Sequence, residues 1–359
     1  MAANSVPSIE HVLNLLGGYR MSYAMFAALN HGIFENLEKS DEGRTAEQTA
    51  KDLTLDETAT TVLLDTCTSV DLLVKEIPNG EMVNARYSNS EHTKRYLLAN
   101  SPESLYSFAI LMSRLGTKHI VNFAEHVIKE GANQQNTEQV LELSSKEPFE
   151  NLYKTKDKMV AFGEAMHALM TVSLPTVLGP FDLSRFNHLC DLGGSGGTLS
   201  YAAVKAYPKM KSTVFELQRV VDIADHFRPS AEECPNRDKV TFVAGDFFKD
   251  DLPPADLYSL VQILHSWDEE KIDLLLSKVY ASLPSGGGIL IGAFLPDDDM
   301  RGSSLDVSHS MLTLSICPGG RERSGKEHEQ LLTKHGFVEI QCRQSGIPYL
   351  AGAVFATKP

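Results

Sequence analysis

The chain has 359 residues, a formal net charge of −14, and charged side chains at 22% of its positions. That length allows two domains and the composition is that of an ordinary folded protein, while the acidic balance weighs against nucleic acid and anionic membrane surfaces, which need basic contacts. The five cysteines form no CxxC pair and the twelve histidines show no metal-ligand spacing, so reduced thiols and no metal are expected.

No apolar run approaches the length of a membrane span, and the opening residues lack a basic region followed by an apolar one. A cytoplasmic protein is expected. Residues 8–39 read as helix, with Val12, Leu15, Leu16, Tyr19, Tyr23, Phe26, Ala27 and Leu29 in helical period and Gly17, Gly18 and Gly32 expected to interrupt it. The stretch is apolar enough that either another subunit or its own core must cover it. Thr45 and Gln48 form a capping box that starts a short helix to Leu53. Asp56 caps the next, which runs to about Val70. Leu72–Glu76 reads as a strand, Asn79-Gly80 as a hairpin turn, and Met82–Tyr87 as the return strand. This is a winged-helix order. On many proteins that shape binds DNA, but the second helix holds two acids and no Lys or Arg between 57 and 68. Residues 1–105, a helical, winged-helix region, are therefore read as scaffold or dimer surface.

Residues 106–359 are read as a second domain. A helix covers 104–130, a polar loop 131–147, and a further helix 148–170 that aligns Phe162, Met166 and Met170 on one face. Core packing is the default for such a stripe, and methionines also suit an adaptable pocket wall. Pro175 and Pro180 are expected to end the segment.

His188-Leu-Cys-Asp-Leu-Gly-Gly-Ser-Gly-Gly197 then gives a buried strand, a glycine turn and the start of a helix. The glycines permit a sharp turn and a ligand laid against bare backbone. The spacing is not Gly-x-Gly-x-x-Gly, and Asp191 precedes it, which suits a ligand carrying positive charge better than a pyrophosphate. S-adenosylmethionine is such a ligand. Glu216 and Asp246 close the next two strands. There a carboxylate can accept from ribose hydroxyls, and Phe247 and Phe248 can enclose an adenine. Strand–helix alternation continues through strand 256–264, helix 266–283 capped by Ser266 and Glu269, strand 286–292, helices 305–315 and 324–335, and a closing antiparallel pair 337–342 and 351–357. The pattern predicts an α/β fold with a seven-stranded, Rossmann-like methyltransferase sheet.

His265 falls where a strand ends and a helix begins, at the ligand rim of an open α/β sheet. Transfer of methyl from a sulfonium is an in-line displacement, so the protein must mainly position and deprotonate the acceptor. An imidazole, with an unperturbed pKa of about 6.5, suits that role, and a histidine packed at a helix start is the bland reading. Glu322 and the run Asp297–Asp299 are the candidate acceptors for its other ring nitrogen.

Together these residues resemble the plant-type small-molecule O-methyltransferase family over nearly the whole chain. The motifs are Phe181-Asp-Leu, Asp191-Leu-Gly-Gly, Gly245-Asp-Phe-Phe-Lys249, Leu264-His265-x-Trp267, Gly286-Gly-Gly and Glu322-Arg323. The resemblance implies a homodimeric, S-adenosylmethionine-dependent O-methyltransferase acting on a small phenol or hydroxyindole. It implies His265 as general base with Glu322 as its partner. It implies Gly193, Glu216, Asp246, Phe247, Phe248, Gln262, Tyr153 and Phe162 around the cofactor, and Met166, Met170 and Thr313 toward the substrate. The chain departs from the family at Ser266 (usually Asp), Gln262 (Lys or Arg), Ala293 (often Glu), Glu216 (Asp), Ser195 (Gly) and Thr313 (Asn in an animal branch). Two alternatives stay open: a diverged member that binds S-adenosylmethionine but has another or no reaction, and a winged-helix regulator.

Overall fold

In the first compact unit, Met1–Ser113, the chain does not break at Gly17 and Gly18 as expected. Ile9–Asn30 is one helix, and Arg20 folds back over Gly17 to donate to its carbonyl at 3.4 Å. The turn comes at Gly32, whose φ of 68° is left-handed and favours glycine. The computed structural model describes residues 9–132 and 155–359.

Thr45 and Gln48 close the expected capping box of helix Ala46–Leu53, and Asp56 accepts from the Ala59 N–H at the start of Glu57–Ser69. Strand β1 (Leu73–Glu76) pairs antiparallel with β2 (Arg86–Asn89). The return strand begins at Arg86 and not at Met82, because Met82–Asn84 coils into a 3-10 turn with Met82 and Val83 in solvent. Asp65 ties the second helix to the wing: Tyr87 donates to it at 2.7 Å, and Lys75 forms an ion pair with the same oxygen. Leu29, Phe34, Leu64 and Tyr87 anchor the core of this unit. On Ile9–Asn30, Leu15, Leu16 and Tyr19 keep 70%, 68% and 64% of their surface exposed, an apolar stripe this unit leaves bare.

The second unit is Arg114–Pro359. Its sheet has seven strands: β3 (His188–Leu192), β4 (Lys211–Glu216), β5 (Val240–Ala244), β6 (Leu257–Val261), β7 (Gly288–Ala293), β8 (Val338–Arg343) and β9 (Gly352–Thr357). Their order is β5-β4-β3-β6-β7-β9-β8. The first five are parallel, and β9 runs antiparallel to both β7 and β8. β7 and β9 are buried along their whole lengths, as expected for central strands covered on both faces. The order reverses between β3 and β6, which opens a crevice beyond their carboxyl ends.

Helix Lys156–Val177 runs through Pro175, which was expected to end it. The turn after the proline is held by the buried Val177 and by the Leu178 N–H bonded to Leu174, so the ring does not stop the helix. The helix after β6 starts at Glu269, not Ser266. Leu264–Ser266 is a 3-10 turn, Trp267 is extended, and Asp268 caps Glu269–Ser282 by accepting from the Lys271 N–H. Ser324 and Glu327 form a capping box on Gly325–Lys334, and Gly336 follows it with φ 87°. Among the described residues, no helix is long and apolar enough to cross a membrane.

Candidate active site

The carboxyl ends of β3, β4, β5 and β6 deliver Gly193, Glu216, Asp246 and Gln262 to one cavity of about 670 Å³. Phe162, Met166 and Met170, from helix Lys156–Val177, form part of its wall, and Phe247, Phe248 and Trp267 supply aromatic surface. Phe248 meets Phe247 edge to face at 4.7 Å and Trp267 at 4.8 Å.

The glycine turn is built for close approach. Gly193 has φ 70°, and side-chain atoms at Gly194 or Gly196 would collide with the Asp191 carboxylate or the Phe227 ring. Asp191 lines the same cavity, and both of its oxygens already accept from serines. Ser259 donates to one of them at 2.6 Å and Ser200 to the other at 3.2 Å, and burial raises the carboxyl to about 6. Its work is to pin β3 to β6 and to the helix after the glycines.

Glu216 differs. One oxygen accepts from the Ser195 N–H at 3.1 Å and the other from the Leu217 N–H at 2.8 Å. Burial dominates and raises it to about 7. It remains a wall of the cavity, with lone pairs for further donors. Asp246 accepts from the Phe248 N–H at 2.9 Å and pairs with Lys249 at 2.8 Å. Burial acts to raise its pKa, and Lys249 with the backbone donors brings it below the ordinary value. Gln262 is strained and unsatisfied at once. Its φ is 55°, its N–H donates to the Gly292 carbonyl at 2.8 Å, and neither atom of its buried side-chain amide has a partner.

These groups fit S-adenosylmethionine. Carboxylates at successive strand ends suit hydroxyls and an ammonium, the aromatic surface suits a purine, and the orphaned amide of Gln262 awaits a polar partner.

Beside the cavity lies the second constellation. Leu264–Ser266 presents His265 at the end of β6, between Ile263 and Ser266, which both line the cavity. His265 Nδ1 lies 2.7 Å from Glu322 Oε1. A carboxylate only accepts, so this ring carries its proton on Nδ1 and leaves Nε2 as the basic nitrogen. Glu322 is 2% exposed. Burial would raise its pKa, but the imidazoles of His265 and His309 outweigh that and hold it at about 2. Its N–H donates to Ser310 at 3.1 Å, and the adjacent Arg323 is fixed by Glu269 and by the carbonyls of Leu264 and Trp267. The carboxylate is thus anchored from both sides.

Model matches for two families cover these units: an O-methyltransferase dimerisation domain over residues 13–99 and an O-methyltransferase domain over residues 122–338. The chain belongs to the O-methyltransferase family. It is 36% identical to acetylserotonin O-methyltransferase of Bos taurus over 95% of each protein. The crystal structure of human N-acetylserotonin methyltransferase in complex with SAM superposes with a TM-score of 0.88 at 31% identity, over 100% of this chain and 99% of that one. The mitomycin 7-O-methyltransferase MmcR shares the fold at 22% identity and a TM-score of 0.78, over 98% of this chain and 97% of that one.

Of the residues singled out in the sequence, Gly193, Glu216, Asp246, Phe247, Phe248, Gln262, Phe162, Met166 and Met170 line one cavity of this O-methyltransferase domain. His265 and Glu322 pair with each other. Thr313 is not among the lining residues: it is buried, and its hydroxyl donates to the His309 carbonyl at 3.0 Å. Tyr153, the start of the expected 148–170 helix and most of the expected 131–147 loop lie outside the described residues. Asp297–Asp299 does not reach His265; Asp297 accepts from Gln344 and Asp298 from the Lys326 N–H. Sequence reasoning missed His309, whose Nδ1 lies 2.8 Å from the same Glu322 oxygen. Its available signal was its place one helical turn before Thr313.

Proposed function

We propose that the protein is an S-adenosylmethionine-dependent O-methyltransferase for a small hydroxylated aromatic, with His265 as the general base. The observation that carries this reading is the 2.7 Å His265–Glu322 pair beside a cavity rimmed by Glu216 and Asp246. When bound, S-adenosylmethionine supplies a methyl group already activated by its sulfonium. The chain then has to orient the acceptor and remove its proton. Glu322 fixes the Nδ1–H tautomer, so Nε2 of His265 takes the proton from the acceptor hydroxyl, and the same carboxylate stabilises the imidazolium that forms. A phenol with a pKa of about 10 is a weaker acid than imidazolium, so proton removal gains from coinciding with transfer. Apolar walls from Phe162, Met166, Met170 and Trp267 favour an aromatic acceptor and exclude water.

The homodimer rests on the dimerisation-domain match and on the bare apolar stripe of Ile9–Asn30. Light scattering on the purified chain tests it, and a monomer at micromolar concentration would remove it. A cytoplasmic location is supported by five free cysteines, four of them buried. Release of S-adenosylhomocysteine across a panel of phenols and hydroxyindoles tests the reaction. A silent panel despite tight cofactor binding would instead favour a member that has lost or changed its chemistry.

A further inference from the structure

We propose that His265, His309 and Glu322 form a binding site for a zinc-class divalent cation, and that filling it silences the base. Nδ1 of His265 and Nδ1 of His309 lie 2.7 and 2.8 Å from the same Glu322 oxygen, and the three candidate ligand atoms all fall within 4.8 Å of one another. The two rings lie 5.7 Å apart with an interplanar angle of 25°, and both Nδ1 atoms meet the one carboxylate oxygen. Glu322 has 1% of its side chain exposed, and its second oxygen is buried without a partner. That oxygen is a spare ligand atom. Phe294 and Tyr349 pack on His309 at 4.8 and 5.3 Å and hold the ring in place.

Two imidazoles and one carboxylate are a common zinc donor set that leaves a fourth position open. Nitrogen donors select zinc, copper, nickel or cobalt over magnesium and calcium. Metal–ligand distances of about 2.0–2.2 Å put tetrahedral ligand atoms roughly 3.3 Å apart. The two hydrogen-bonded edges of the cluster therefore have to open by about half an ångström, while the third edge, within 4.8 Å, closes toward the same length.

The chemical consequence is specific. A cation on Nδ1 displaces the proton that now points at Glu322, and in the neutral ring that proton moves to Nε2. No proton leaves the pair of rings. Nε2 of His265 becomes a donor and can no longer accept the proton of a hydroxyl. Sequence spacing conceals the site, because its members come from the end of β6, from the middle of helix Ser304–Ile316 and from the loop after that helix. Cation binding stands apart from the proposed reaction; only the silencing rests on it.

Titrating the full-length chain with Co2+ tests the site. The expected result is one equivalent of tetrahedral ligand-field absorption, abolished by competing Zn2+ and lost in His309→Ala and Glu322→Gln, with cooperative melting showing that the variants fold. His309→Asn replaces His309→Ala should the latter not fold. Absence of that absorption at stoichiometric Co2+, or its persistence without His309, would overturn the site. With an acceptor in hand, one equivalent of Zn2+ should cut transfer at least tenfold and a chelator should restore it; undiminished transfer by the zinc-loaded protein would overturn the silencing. A protein that shows the absorption but methylates nothing keeps its cation site and loses the reaction proposed above.

Discussion

The backbone N–H of Ser195, inside the glycine turn, donates to Glu216 at the tip of the neighbouring strand over 3.1 Å. The bond couples the turn to a carboxyl that burial has lifted to about 7. Ribose hydroxyls donate best to the ionised form. S-adenosylhomocysteine should therefore bind more tightly as pH rises through 7 and release a proton near neutrality. Calorimetry in buffers of different ionisation enthalpy measures that proton, and Glu216→Gln should abolish it. Binding that takes up no proton difference at any pH would remove Glu216 from the cofactor site.

The same carboxyl sets a stability slope in the ligand-free protein. Its folded pKa lies above its unfolded value of 4.5, so its contribution is fully present below about 4.5 and is lost as pH rises through about 7. Asp191, raised by burial to about 6, acts in the same direction. At one pKa unit per ~1.4 kcal/mol, Glu216 alone accounts for an upper bound on the order of 3 kcal/mol. The melting temperature should fall between pH 5 and pH 8, and Glu216→Gln should flatten the fall.

Gln262 places an unpartnered amide in the cavity wall. Gln262→Met keeps the length and removes both polar atoms. A buried unsatisfied group costs about 1–3 kcal/mol, so the ligand-free variant should melt higher. Its cofactor affinity should fall, because the amide's ligand partner is lost. Thermal melts with and without S-adenosylhomocysteine separate the two effects; an unchanged ligand-induced shift would mean that the amide faces something else.

Gly196 has no room for a side chain. A Cβ there would sit well under 3.0 Å from the Phe227 ring, which also closes on Gly163. Gly196→Ala should destabilise by about 1–3 kcal/mol through displacement of that ring. Denaturant unfolding gives the value, and Phe227→Ala in the same chain should recover part of the loss.

Glu322→Gln replaces an acceptor-only group with one that can donate to His265 and reverse its tautomer. Turnover should fall by about 10²–10⁴. Cofactor affinity should stay near that of the unaltered protein, since Glu322 is not part of the cavity wall. Equal losses in turnover and cofactor binding would point to a collapsed site and not to a misoriented base.

How far the sequence reached follows from where each signal lies. The strand ends carrying Gly193, Glu216 and Asp246 were legible because parallel β/α alternation places successive strand tips along one rim. The caps at Thr45, Asp56 and Ser324 were legible because their bonds are local. Ser266 misled for the converse reason: it has the right spacing to Glu269, but the extended Trp267 hands the cap to Asp268. Gly17 and Gly18 misled because a glycine weakens a helix by only about 1 kcal/mol, which a 22-residue helix absorbs. Asp191 was read as tolerance for a cation, and its bonds to Ser200 and Ser259 were not foreseen. Those contacts come from the packing of β3 against β6 and against the helix after the glycines, and carry no spacing rule. His309 was illegible on the same ground, since its meeting with Glu322 needs the helix Ser304–Ile316 to be folded first.

The central claim is that His265, held by Glu322, deprotonates an acceptor hydroxyl while a methyl group arrives from the cavity. Incubating the protein with methyl-labelled S-adenosylmethionine and a panel of phenols and hydroxyindoles, with mass spectrometry of the products, tests it most directly. The account predicts a labelled aryl methyl ether from the unaltered chain and almost none from His265→Gln, with S-adenosylhomocysteine affinity retained in both. Full label transfer by His265→Gln would contradict it.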